Sequence, residues 1–256
     1  MIEMKKILQK LSINFPKRLA AKYHDHVGLM TGKMPGKVNK IFLCLDLDFE
    51  VLPEVIKTRP DVIITHHPFI YGTKAKVFKW DLYKKELCEK IDSLGIPVYS
   101  FHTNFDEGNG GMNDAFASAL GLNDVYSNPL DPMMRIGFLP KEMDVKEFSK
   151  FAKERFNVSY GLLVNYGKEK VKKVGIIGGG GSRNYVNAIK EDCDIYISGD
   201  APHYVRRDVV TRKFNYLDFP HEIEKIFMPT MKNILLSIDG SLEIITIDHE
   251  KLPTVI

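Results

Sequence analysis

In this 256-residue chain, the side chains with the most chemical capacity sit where short apolar runs stop. Between Asp61 and Pro68 (D-V-I-I-T-H-H-P) a strand-forming run delivers the adjacent histidines His66 and His67, and Pro68 keeps it from continuing. Between Pro97 and Asp106 (P-V-Y-S-F-H-T-N-F-D) a second run delivers His102, Asn104 and Asp106. Successive side chains of an extended chain point oppositely, so His66 and His67 can each serve a different ion. Neutral imidazole and carboxylate together suit zinc, iron, manganese or nickel rather than calcium, and a carboxylate with two free oxygens can bridge a pair of ions. The competing reading is a strand end with two hydrogen-bonded histidines. Glycines at 108, 110 and 111, which let backbone approach a ligand, join His102 and Asp106 in favouring the chemical reading. His102 is expected to orient Asp106 or to donate to a substrate rather than to bind metal.

Three later clusters have the same placement. The glycines at 178–181 and Ser182 follow a predicted strand and precede a helical pattern at 185–189. They either offer N–H groups to an anion or form a tight turn for close packing. They match neither the dinucleotide fingerprint nor the P-loop. Ser198-Gly-Asp200 and His203 end another run, with Asp200 either part of the cluster or the cap of the next helix. In Asp218-Phe-Pro-His-Glu-Ile-Glu224, His221 and Glu224 stand at i and i+3 on one helical face, a spacing that can serve one metal.

The elements that must position these residues are legible as a rhythm. Apolar runs at 41–45, 62–64 and 98–101 alternate with amphipathic stretches, and the pattern returns at 174–177, 195–198 and 214–217. This predicts an α/β protein built of βαβ units, with ligand-binding residues beyond the carboxyl ends of its strands. We expect a first α/β portion over 1–127, a middle βαβ module over 128–168 and a second α/β portion over 169–256, together one compact domain. In the middle stretch, Asp144 is expected to cap a helix over 145–156 between strands at 136–139 and 160–164.

Composition narrows the class. The chain is 44% apolar and 27% charged, enough for a real core, and its net charge of +3 demands no nucleic-acid partner. The densest basic cluster, Arg206, Arg207, Arg212 and Lys213, lacks interleaved aromatics and reads as a solvated or interface patch, with DNA binding as a third functional alternative. Cys44, Cys88 and Cys193 fit buried thiols rather than a disulfide framework or a zinc ribbon. No apolar run approaches a membrane span and residues 1–11 lack a secretory core, so the expected address is the cytoplasm, with no membrane partner.

These residues give the chain a near end-to-end resemblance to the Nif-three-like family of dinuclear metal centre proteins, often labelled GTP cyclohydrolase type two homologues. It runs from Asp25-His-Val-Gly-Leu29 and Leu45-Asp46 through I-T-H-H-P at 64–68 and H-T-N-F-D at 102–106. It continues with Gly110-Gly-Met-Asn-Asp114, Leu120-Gly-Leu122, the glycine-rich turn and Ser198-Gly-Asp-Ala-Pro-His203. The resemblance implies two related α/β portions, a toroidal homohexamer and two divalent metal ions per subunit, held by His66, His67, Asp106 and a late His/Glu pair. The late family motif spaces that pair at i and i+4. Here one residue is missing, and His221 with Glu224 is preferred over Pro220 because proline cannot bind metal. The family's early tryptophan and asparagine are replaced by His24 and His26, and its later H-H is His203-Tyr204.

The resemblance implies a metal-dependent hydrolase acting on a nucleotide-like substrate. In that reading the ions make hydroxide from water, while His102, His203 and the glycine turn steady the substrate. For GTP, attack at the purine C8 is the required chemistry. The alternative is a non-catalytic metal-handling or regulatory scaffold.

Overall fold

The computed structural model describes residues 1–254 of a mixed α/β chain. Its packing separates two compact units: Met1–Gly111 with Phe227–Glu250, and a second that spans Met112–Ile226.

The first unit is organised by a five-stranded sheet in the order Glu243–Thr246, Lys40–Cys44, Val62–Thr65, Val98–Ser100, Gly28–Thr31. Its first four strands are parallel and the last is antiparallel. Val62–Thr65 is buried at every residue, which is why its sequence reads as a continuous apolar run rather than an alternation. The register aligns Cys44 with Thr65, and Thr65 with Ser100. Three strands therefore end level, and the residues that follow each of them leave the sheet along one edge. The Thr65 and Ser100 hydroxyls, 2.7 Å apart, tie two of those ends together. Phe42, Ile63 and Val98 pack with Val55 of the helix Leu52–Thr58 and with Leu87 and Ile91 of the helix Leu82–Leu94. Asp81 caps that second helix by accepting from the N–H of Lys84, and Gly95, at φ 69°, ends it in the left-handed region.

The second unit holds a six-stranded sheet in the order Asn123–Asn128, Asp131–Asp144, Lys170–Ile176, Ile195–Gly199, Asn215–Phe219, Leu162–Asn165. The strands Lys170–Ile176, Ile195–Gly199 and Asn215–Phe219 are parallel, and antiparallel strands flank them on both sides. The stretch 128–168 supplies the long strand Asp131–Asp144, the helix Val145–Arg155 and the edge strand Leu162–Asn165 to this sheet. Asp144 caps its helix, accepting from the N–H groups of Lys146 and Glu147 at 2.8 and 3.2 Å. From Phe227 the chain rejoins the first unit, where the helix Phe227–Ile238 precedes the strand Glu243–Thr246.

The interior of the second unit contains a charge that the sequence does not advertise. Arg135 is 2% exposed and grips Asp114 through Nε–Oδ1 at 2.6 Å and Nη2–Oδ2 at 3.1 Å, while Nη1 donates to the Pro132 carbonyl. Removing Asp114 would strand the Arg135 guanidinium in a poorly solvated place. The three cysteines are buried free thiols. Among the described residues no helix is long and apolar enough to cross a membrane.

At the start of the strand Ile195–Gly199, Asp194 accepts from Lys168 Nζ at 2.6 Å and from the N–H groups of Lys172 and Lys173, both at 2.8 Å. Burial opposes its ionisation, but those donors hold the carboxyl below its ordinary range. A depressed folded-state pKa adds stability that is present above the unfolded carboxylate range and lost as pH falls through the folded value. Asp194→Asn is expected to lower stability by about 2 kcal/mol at pH 7, with the gap to wild type closing as pH falls through the depressed folded-state value. Urea titrations across that range measure it.

Candidate metal centre

The level strand ends of the first unit set out its polar groups. Past Cys44, the carbonyls of Cys44 and Leu45 accept from the N–H groups of His66 and His67, at 3.3 and 3.0 Å. This extends the ladder by two residues and fixes where both imidazoles leave the backbone. Past Ser100, Phe101 donates to the Thr65 carbonyl, and the chain turns at His102 into the short helix Thr103–Glu107. Asn104, named by the sequence as a polar neighbour, is structural: its amide donates to Phe15 O at 2.8 Å and its oxygen accepts from His102 N.

In each imidazole Nδ1 is committed. His66 Nδ1 donates to the Phe101 carbonyl at 2.8 Å, His67 Nδ1 to Asp46 Oδ2 at 2.8 Å and His102 Nδ1 to Asp25 Oδ2 at 2.7 Å. A ring that donates from Nδ1 presents Nε2 as a lone pair, the arrangement that metal-binding histidines use. Burial would raise the Asp46 pKa, but the hydrogen bond from His67 and the electrostatic pull of His67, His66 and His249 hold it below the usual carboxylate range. Burial likewise opposes Asp25, which His102 and Thr103 pull well below that range. Both carboxylates thus act as acceptors.

The donor set fits a divalent cation. Ring nitrogens of His66, His67 and His102 lie within 4.8 Å of one another. His66 Nε2 stands 3.5 Å from Oδ1 of Asp106, which is buried in the helix Thr103–Glu107. Two ligands at ~2.05 Å from a tetrahedral ion are separated by roughly 3.3 Å, close to that spacing. Around His66 the rings of Phe105 and Phe227 form an apolar wall, at 6.5 and 5.3 Å between centroids. His102 is closer to the candidate ligands than the sequence reading places it. Its Nε2 also lies 3.5 Å from the Tyr71 hydroxyl.

The second unit carries the other pair. Residues His221–Ile226 form a 3₁₀ helix, and its three residues per turn put i and i+3 directly over one another. His221 Nε2 and Glu224 Oε2 are accordingly 3.0 Å apart, and His221 Nδ1 reaches Asp200 Oδ2 at 2.6 Å. Asp200, which the sequence left between two roles, orients His221, and Pro202 occupies the cap of the following helix. The glycine turn packs against this pair. A Cβ on Gly179 would overlap Glu224 Oε1 and lie 2.8 Å from its Cδ, and one on Gly178 would enter the Phe116 ring. Gly179 O accepts from both Gly181 N and Gly199 N. Of the two readings of this turn, close packing is the one that its surroundings support.

Other sequence candidates stand apart. His203 is exposed in the first turn of the helix His203–Thr211, and among the described residues no hydrogen bond or ion pair joins it to His221, Asp200 or Glu224. In the basic cluster, Arg206 is tied to Asp218 and the Ala201 carbonyl, and Arg212 lies over the Tyr185 ring. The orienting carboxylates Asp25 and Asp46 escaped the sequence reading as functional groups. The available signal was position, since Asp46 lies two residues past its strand.

The Duf34/NIF3 (NGG1p interacting factor 3) family model matches residues 2–253. Proteins named GTP cyclohydrolase 1 type 2 homolog from Clostridium perfringens and Lactococcus lactis are 29% and 30% identical over 237 residues, covering 90% of this chain and 90% of each relative. Among solved structures, a Bacillus cereus protein related to NIF3 superposes with a TM-score of 0.87 at 21% identity, over 99% of both chains. Reduced HcgD from Methanocaldococcus jannaschii gives 0.79 at 26% identity, over 96% of this chain and 98% of that one.

Gly179 and its neighbour offer a controlled test of the second donor pair. Gly179→Ala, at φ 57° and against Glu224, is expected to cost about 1–3 kcal/mol and to weaken zinc binding roughly tenfold or more. Gly180→Ala, where nothing lies within 4 Å, is expected to do neither. Thermal melts and zinc calorimetry of the two variants separate the outcomes.

Proposed function

The chain belongs to the Duf34/NIF3 family, and on that premise we propose that it is a metal-dependent hydrolase acting on a nucleotide-like substrate, as its relatives' names suggest. The observation that carries this reading is that four histidines, His66, His67, His102 and His221, all have Nδ1 committed to a carbonyl or carboxylate. Orienting four rings in this way serves ligation and proton transfer, and packing alone would not require it. His66, His67 and Asp106 in one unit and His221 and Glu224 in the other are the residues that would hold two divalent ions, of the zinc, iron, manganese or nickel type. When bound, such ions supply a Lewis acid that makes water nucleophilic near neutral pH.

The chain's own residues supply the proton chemistry. His102, oriented by Asp25, takes a proton at Nε2 from the attacking water and returns it to the leaving group, and the Asp25 charge stabilises the imidazolium formed between those steps. Tyr71, at the same nitrogen, is placed to steady the substrate. His203 is assigned to substrate contact, because no carboxylate orients its ring among the described residues. GTP is the substrate to try first, and a homohexamer is the proposed assembly.

One observation favours a non-catalytic metal-handling scaffold as the second reading. The His221 side chain is 37% exposed and Asp200, which orients it, 55%, so one of the two candidate ligands of this pair is open to exchange while Glu224 is buried. A regulatory, DNA-binding role draws less support, since Arg206 is engaged internally.

Elemental analysis of the untagged protein is expected to find about two metal equivalents per chain, reduced in His67→Ala, Asp106→Ala and His221→Ala. A wild-type value near one, or no change in His221→Ala, would remove the second pair from the ligand set. With metal bound, nucleotide turnover followed by chromatography is expected to fall by roughly 10²–10⁴-fold in His102→Ala while metal content holds. Metal exchange without turnover of any nucleotide would leave the scaffold reading standing instead.

A further inference from the structure

Away from both donor sets, the first unit has a cavity of about 450 Å³ beside the N-terminal helix Met4–Asn14. That volume falls within the range of small-molecule sites. Leu8, Phe15 and Phe101 give it apolar walls, with Phe15 and Phe101 edge to face at 6.5 Å between centroids and Tyr99 tilted on Phe101 at 5.0 Å. Lys5 and Lys17 stand on its lining, and no acidic residue does.

Two polar groups mark one end of the cavity. Tyr99 is only 9% exposed, yet its hydroxyl makes no hydrogen bond among the described residues. The hydroxyl itself is reached by solvent, so it is available to donate to a molecule that enters the cavity. Its burial raises the pKa above the ordinary phenol range, so it offers an O–H donor. The Lys17 ammonium rests 5.5 Å above the Tyr99 ring, next to Gly28. A cation and a neutral donor thus converge at one end of an aromatic-walled cavity.

We propose that this cavity binds a small aromatic carboxylate, with its charged end at Lys17 and the Tyr99 hydroxyl and its ring against Phe15, Phe101 and Leu8. Aromatic walls favour a flat body over a flexible chain, through edge-to-face and offset contacts. The unopposed lysines select an anion over a neutral molecule of the same shape. None of the donor residues lines the cavity, so the site stands independently of the hydrolase reading.

Calorimetry of the intact protein with 2-naphthoate, and with neutral 2-naphthalenemethanol as its counterpart, tests the assignment. One naphthoate per chain is expected to bind at least tenfold more tightly than the alcohol. Lys17→Met is expected to erase that preference, and Tyr99→Phe, which keeps the ring, to weaken naphthoate severalfold. Equal affinity for the two probes overturns the proposal, as does unchanged naphthoate binding in Lys17→Met. Failure to bind because a second copy of the chain covers the cavity, read as protection of Lys17 from acetylation in the native assembly, also overturns it.

Discussion

An imidazole turns about two single bonds and exchanges its proton between two nitrogens, and the donor sets depend on both freedoms being stopped. In this chain they are stopped by one hydrogen bond per ring. A backbone carbonyl holds His66, and carboxylates hold His67, His102 and His221. Each bond selects the tautomer as well as the orientation, since a carbonyl or ionised carboxylate can only accept. Asp25 and Asp46 must then stay ionised although burial opposes it. Asp25 meets that requirement by collecting donors from Thr103 as well as from His102.

The sheet of the first unit makes those bonds available. Because Cys44, Thr65 and Ser100 share a register, Asp46, His66, His67 and His102 leave neighbouring strands at one edge. A slip of one residue would exchange the faces of every side chain and separate His66 from the Phe101 carbonyl. The buried Thr65–Ser100 hydroxyl pair is thus a positional constraint on the chemistry as much as a satisfied polar contact.

The second unit solves a different problem. Its His and Glu are one residue closer in sequence than an α-helical i, i+4 pair requires, and the 3₁₀ helix closes that gap by winding more tightly. The tighter turn brings Glu224 against backbone, and the approach is possible only because Gly179 has no side chain and accepts a positive φ. Turn and ligand pair therefore depend on one another: a longer side chain in the first would expel the second.

The α/β class, the strand-end histidines, the Asp144 cap and the family were legible in the sequence. Buried parallel strands write themselves as unbroken apolar runs, and proline, glycine and capping residues mark where those runs stop. The edge strands Gly28–Thr31 and Glu243–Thr246 left no such trace, because partly exposed residues need no apolar pattern. Nor did the enclosure of Arg135 against Asp114, 21 residues away, since a charged residue in sequence looks the same whether solvated or enclosed. The roles of Asp25 and Asp46 had the same fate: Asp25 lies 77 residues from His102, and Asp46 lies 21 from His67. Sequence determined which donor types stand at which strand ends, because that is local. Tertiary structure alone decided which nitrogen each ring presents, because that depends on an acceptor supplied from elsewhere in the chain.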